Sequence, residues 1–351
     1  MPQEPEEFPL RVFSVESEPP NDTLDDSEDP ASHGWVGGIP AMEDLQAAFD
    51  VFLTGTAPAE QIRALSDLDK SRLAYLREHW LELEEPVRTV ISSQASMMGN
   101  QEIALDFRRF LIFTLEDPSP VVRQIAIDAF SEFLDEETAS LVLSHLMQDP
   151  SPDVRAEAAS TLAWFVDTMD FTPENLALEQ RIRDSLLKVA SQPGEPAHVR
   201  GLALETFSLF GNGKELQNLI DEFYAEDETG LRSSALFAMG NSNDKRWIPI
   251  LTSELASKDN ETRRVAATAL GMHDDPDVLP DLRKLTRDPD RDARHAAILA
   301  IGNISGPAAK RILAKLLEGD PDEEDQDVIM EALQMEDILS NFDEDDESLF
   351  I

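Results

Sequence analysis

Asp117-Pro118-Ser119-Pro120-Val121-Val122-Arg123 recurs as Asp149-Pro150-Ser151-Pro152-Asp153-Val154-Arg155 and again as Asp288-Pro289-Asp290-Arg291-Asp292-Ala293-Arg294. In each phrase Arg follows Asp by six residues. Taken as a ruler, this Arg falls at Arg88, Arg123, Arg155, Arg200, Arg232, Arg263 and Arg294, with Gln326 at the next expected place; the steps are 35, 32, 45, 32, 31, 31 and 32. A fixed period of this size marks a stack of supersecondary units that cannot bury their apolar faces alone.

The register continues beyond the ruler. Three residues after each Arg from 123 to 294 stand Ala126, Ala158, Ala203, Ala235, Ala266 and Ala297. One position on are Ile127, Ala159, Leu204, Leu236, Ala267 and Ile298, and seven after the Arg are Phe130, Leu162, Phe207, Met239, Leu270 and Ile301. Spacings of three and four put these on one stripe of a helix. Ser119 and Ser151 are suited to N-cap that helix, with Pro120 and Pro152 at its first position, where the missing N–H costs nothing. Small alanines let it approach its neighbours, and the larger residue a turn later fills the space between layers. Gly240, Gly271 and Gly302, eight after the Arg, are placed to end it in the left-handed conformation. Each unit therefore reads as helix A, a tight turn and helix B, and the chain as an all-α solenoid of about eight such pairs.

These residues resemble the HEAT-repeat family, in the short bacterial form called phycobilisome-lyase-like repeats, over roughly residues 80 to 335. The resemblance implies a ladder of hydrogen bonds between the turn acid and the helix-B Arg of neighbouring units. Its members here are Asp117, Arg123, Asp149, Arg155, Arg200, Arg232, Arg263, Asp288 and Arg294. Asp320 also takes an acidic place, Glu82 and Glu226 substitute, and Gly194 and Ser257 depart from the pattern, so a ladder interrupted at those two units is expected. The Thr-Pro-Leu-His phrase of ankyrin repeats and the Trp-Leu-Gly-Tyr pattern of tetratricopeptide repeats are absent.

Outside the regular array, residues 1 to 40 hold seven prolines and ten acids against Arg11, a composition expected to be disordered. Its apolar island, Phe8 to Val15, reads either as a docking motif or as part of an inert tail. Residues 41 to 86 form a divergent helical entrance, opened by Leu45, Ala48, Phe49 and Phe52, with further helices at 58 to 67 and 70 to 84. The array proper spans 87 to 340, and 341 to 351 form an acidic tail. The long step from Arg155 to Arg200 places an insertion around Asp167 to Asn175, either a functional loop or a tolerated lengthening.

The net charge is -42; the two ends, 1 to 40 and 318 to 351, carry -9 and -15, leaving -18 for the body. Such a charge disfavours nucleic acid and anionic lipid as direct partners. There is no cysteine, so thiolate chemistry and disulfides are excluded within the chain. The N-terminus carries Glu4, Glu6 and Glu7 where a secretory signal needs cations and an apolar core, and apolar runs are short; a cytoplasmic protein is expected.

Chemistry is not evident. No two of the histidines, His33, His79, His145, His198, His273 and His295, lie within five residues of each other, and none is followed by Glu, unlike the His-Glu iron ligands of the HEAT-like deoxyhypusine hydroxylases. The HEAT-like DNA glycosylases need a basic groove that this body lacks. Asp320, Asp322, Glu323, Glu324, Asp325 and Asp327 lack the glycine of a calcium loop and read as an acidic helix start. Trp80, Trp164 and Trp247 read as packing residues. No cofactor is expected.

The function that follows is a non-catalytic scaffold for a protein or peptide, with a basic partner favoured. Its candidate surface is the position five after each ruler Arg, which should face outward: Asp128, Ser160, Glu205, Phe237, Thr268 and Leu299. Two alternatives stay open: an accessory enzyme similar to the phycobilin lyases, and an acidic mimic of DNA that occupies a basic protein.

Overall fold

The structure, a computed structural model, describes residues 40–102, 104–168, 176–226 and 229–348. The segment 1 to 39, with its Phe8 to Val15 island, and residues 169–175 of the insertion lie outside the described residues. Those described from Pro40 onward form α-helices and short 3-10 turns, with no strand among them.

The entrance consists of α1 (Met42–Phe52), α2 (Ala59–Ile62) and α3 (Lys70–His79). Leu45, Ala48, Phe49 and Phe52 form the buried face of α1, as their spacing predicts. Arg72 of α3 is buried, yet it donates to the carbonyls of Ser66, at 3.2 Å, and of Asp67, tying off carbonyls that follow the short α2 turn.

From there the B helices are α4 (Glu85–Gln101), α6 (Pro120–Ala129), α8 (Pro152–Thr168), α10 (Ala197–Phe207), α12 (Thr229–Asn241), α14 (Asn260–Gly271), α16 (Arg291–Gly302) and α18 (Glu323–Ser348). The A helices that precede each of the last seven are α5 (Arg108–Thr114), α7 (Glu136–Gln148), α9 (Leu176–Ala190), α11 (Lys214–Ala225), α13 (Ile248–Glu254), α15 (Leu279–Leu285) and α17 (Pro307–Leu317). With α3 in front of α4 there are eight pairs. Each B helix packs on the next, from α4 through α18, and each from α6 onward packs on the A helix of its own unit, while α4 rests on α2 of the entrance. The last helix continues to Ser348.

Burial follows the register. The six alanines three after the Arg are wholly buried, and so are Phe130, Leu162, Met239, Leu270 and Ile301. Each large side chain so enclosed stabilises the stack by about 2–3 kcal/mol. In α18, Ile329 and Ala332 are buried three and six residues after Gln326, so the register survives the loss of the Arg.

Two expectations about helix ends are corrected. Gly240, Gly271 and Gly302 do not adopt left-handed backbone; that conformation falls three residues on at Asn243 (φ 48°) and Asp274 (φ 41°), and α16 ends at Asn303 with φ -76°. The three glycines instead lie against the next B helix. A Cβ on Gly240 would lie 2.8 Å from Ala269 Cα, one on Gly271 2.7 Å from Ala300 Cα, and one on Gly302 2.6 Å from the Ala332 carbonyl oxygen. Their contacts are six after the ruler of the following unit, a small-residue position that completes the seam. Ser119 does occupy the N-cap position of α6, but its hydroxyl donates to Glu85 Oε1 at 2.7 Å instead of capping. The side-chain caps are aspartates: Asp135 accepts from Thr138 N, Asp259 from Thr262 N and Asp290 from Ala293 N.

Candidate interaction surface

Spacing between B helices is set by the ruler arginines. Arg88 Nε donates to Asp117 Oδ2 at 2.9 Å, and that oxygen also accepts from Trp80 Nε1 at 2.6 Å. Arg123 meets Asp149 through Nε and Nη2 at 2.9 and 2.8 Å, and Arg263 meets Asp288 in the same fork at 2.8 and 2.7 Å. Each fork fixes two planar groups against each other, which a single contact does not. The remaining nitrogen of the guanidinium reaches back six residues: Arg123, Arg155, Arg263 and Arg294 donate Nη1 to the carbonyls of Asp117, Asp149, Ser257 and Asp288. One side chain thus closes its own A–B turn and holds the next unit.

The expected interruption does not occur. Where Gly194 lacks a carboxylate, Arg155 takes the adjacent Glu195 at 2.7 Å; where Ser257 lacks one, Arg232 takes Glu254, on the preceding turn, at 2.6 Å. Arg200 passes over Glu226 for Glu222, one helical turn earlier, at 2.9 Å. Arg294 pairs with Asp325 at 3.2 Å, because Asp320 sits exposed in the turn with φ 58°. In two of these shifted rungs an aromatic on helix A supports the cation: Arg200 lies 4.7 Å from the Phe223 ring centroid and Arg232 4.1 Å from that of Tyr224. Glu82, ahead of the first ruler Arg, takes His79 instead, at 2.9 Å.

Burial opposes the charge of Asp149, but Arg123, His145 and the Ser151 N–H outweigh it and hold the carboxyl below its ordinary range. Asp288 is governed likewise by Arg263 and the Asp290 N–H. Asp325 is held low by Arg294 and His295 against the same opposition.

With the ladder on the flank, one face of each B helix is left over. At about 100° per residue, positions two, five and nine after the Arg lie opposite the buried stripe at three, four and seven, although Ser234 and Val265 at position two are themselves buried. The position-five residues, Asp128, Ser160, Glu205, Phe237, Thr268 and Leu299, are all half-buried, closer to their neighbours than an outward reading implies. Close B–B packing is the reason. One turn on, at position nine, stand Trp164, Leu209, Asn241, Met272 and Asn303, also half-buried, and Glu132, exposed. This second row was not singled out in the sequence, although its signal, a residue four after each of the first row, is there to read. Trp164, in this second row, is half-buried, and Trp80 and Trp247 are buried. On α4 the same face carries Val90 and Met97, 44 % and 55 % exposed, beside a shallow depression of about 130 Å³ lined by Gly55, Ala57, Pro86, Val87 and Val90.

In its centre Ser234 of α12 donates to Glu205 of α10 at 2.5 Å, and Asn241 donates to Ser208 Oγ at 3.0 Å. Burial raises the Glu205 carboxyl to about 7, with the Ser234 hydroxyl acting in the other direction. From α6 to α16, positions two, five and nine include Asp128, Glu132, Glu157 and Glu205 and not one Lys or Arg. The face is acidic and apolar together. Among the described residues no group of three or more His, Asp or Glu is arranged to hold a metal ion, and no helix is long and apolar enough to cross a membrane.

Residues 109–184 and 248–334 match the family model of HEAT repeats, and the chain carries HEAT repeats over those stretches. Similar solved structures include the complex of CpcE and CpcF of phycocyanin lyase from Nostoc sp. PCC7120, at 16% identity, covering 80% of this chain and 94% of that one, with a TM-score of 0.47. YibA of Escherichia coli is similar at 17% identity, covering 79% and 95%, with a TM-score of 0.43. Human deoxyhypusine hydroxylase is similar at 17% identity, covering 84% and 96%, with a TM-score of 0.32. No curated protein matches the sequence.

Proposed function

We propose that this HEAT-repeat chain is a non-catalytic scaffold that binds a protein or peptide along the outward face of its B helices. The observation that carries the reading is the composition of that face. Trp164, Leu202, Leu209, Phe237, Met272 and Leu299 keep part of their surface in water on successive B helices, in registers free of Lys and Arg. Large apolar side chains that recur on successive helices and stay partly accessible are what a partner's anchors need. The ladder supports the same reading, since it holds seven successive B helices in register without using any residue of the face.

Purification of partners on immobilised protein tests this, with the wild type run beside a Phe237→Ala/Leu299→Ala double variant. A partner retained by the wild type and lost by the variant is expected. Equal recovery of every partner by both forms contradicts the assignment of the face.

A further inference from the structure

The centre of the face carries a carboxylate in a setting unlike that of the other acids that meet B helices. The ladder acids face arginines across a seam. Glu205 faces Ser234, whose hydroxyl occupies the space above Gly201: a Cβ there would lie 2.5 Å from Ser234 Oγ. The arginines of the three B helices that surround it are committed elsewhere, Arg155 to Glu195, Arg200 to Glu222 and Arg232 to Glu254. Among the described residues no charged side chain of α8, α9, α11 or α12 acts on it appreciably; burial and the Ser234 hydroxyl set its titration. On α10 it stands between Leu202 and Leu209, and on α12 Phe237 occupies the same register.

A half-buried carboxylate flanked by partly exposed apolar side chains costs stability where it stands. The missing half of the arrangement is a cation. We propose that the partner is a cationic amphipathic segment that places one Lys or Arg on Glu205 and its apolar side chains on Leu202, Leu209 and Phe237. This rests on the reading of the B-helix face as a binding surface and adds to it the chemistry of the occupant. Glu132, exposed on the N-terminal side of Glu205, extends the complementarity to a further cation, while Phe237, Met272 and Leu299 continue the apolar row on the C-terminal side.

A cation arriving at a carboxyl that titrates near neutrality expels its proton, so binding and proton release are linked. Titration calorimetry of the full chain at pH 7, in two buffers of different ionisation enthalpy, reads both. The probe is an 18-residue helical peptide of leucine and lysine, with a second form whose lysines are acetylated. With the wild type, the lysine peptide is expected to bind and to release up to about half a proton, the fraction carried by a group titrating near 7. Glu205→Gln abolishes the release and weakens binding about tenfold, the order of one charge pair. Ser234→Ala keeps the carboxylate, removes the donor that lowers its pKa, and increases the release. The acetylated peptide loses affinity for the wild type and gains nothing from Glu205→Gln.

Proton release that persists in Glu205→Gln, unchanged affinity in that variant, or absence of lysine-peptide binding to the wild type overturns the proposal. If Phe237→Ala weakens either peptide while Glu205→Gln has no effect, the cation site is wrong and the binding face stands. If all three variants bind as the wild type does, the face itself is wrong.

Discussion

Arg123 holds both oxygens of Asp149, at 2.9 and 2.8 Å, across the boundary between two successive units, and both side chains are buried. Removing one partner leaves the other charge enclosed without compensation, so Asp149→Ala is expected to cost about 3–5 kcal/mol. Glu195→Ala, which releases the less enclosed Arg155, should cost less, about 1–3 kcal/mol. Urea unfolding followed by circular dichroism measures both, and equal midpoints for the two variants contradict the account. The Asp149 carboxyl titrates below its ordinary value of 3.8, so its contribution is complete above that value and is lost as the pH falls through the folded-state value.

Gly271 makes a different kind of joint. Alanine is favoured over glycine in a helix by about 1 kcal/mol, but a Cβ here lies 2.7 Å from the Cα of Ala300, which cannot yield without moving α16. Gly271→Ala is therefore expected to destabilise by about 1–3 kcal/mol. Gly230→Ala, in the first turn of α12 with nothing within 4 Å, is the control and should be neutral or stabilising. Thermal unfolding of the two variants distinguishes a seam glycine from an incidental one.

Glu205 makes stability depend on pH in the opposite sense to Asp149. Its carboxyl is raised from an ordinary 4.5 to about 7, so the folded state takes up a proton between those values. Its relative contribution is greatest below 4.5 and falls as the pH rises to about 7. Glu205→Gln is expected to be more stable than the wild type at pH 8 by about 1–3 kcal/mol, allowing for the partial exposure of the residue. The advantage should vanish at pH 4.5. A variant less stable than the wild type at pH 8 would show that the carboxylate is not under strain from burial.

Much of the fold was legible because the repeat places the same demand on the same register again and again. Ala126, Ala158, Ala203, Ala235, Ala266 and Ala297 each had to be small for one reason, and the helical pairs follow from them. The ladder was legible in its arginines and less so in its acids. An Arg side chain is long enough to donate to a carboxylate one residue on, as at Glu195, or a helical turn back, as at Glu222, so a gap in sequence register at Gly194 or Ser257 is not a gap in space. The glycines misled because glycine serves two needs. A helix end and a close crossing both call for the missing Cβ, and only the position of the neighbouring helix tells them apart. The binding face was half legible. Position five could be read from periodicity, but its half-burial depends on how closely the next B helix approaches, and the Ser234–Glu205 contact joins two units 29 residues apart.

The central claim is that a macromolecular partner lies on the B-helix face. Site-specific photocrosslinking tests it most directly, with a photoreactive residue placed either at Thr268, on the face, or at Lys284, exposed on helix A of the following unit. In extracts of the native host, the account predicts a discrete protein adduct from position 268 that is lost on adding Phe237→Ala and Leu299→Ala, and none of that adduct from position 284. The same adduct formed from position 284 and absent from 268 would place the partner on the opposite surface and contradict the account.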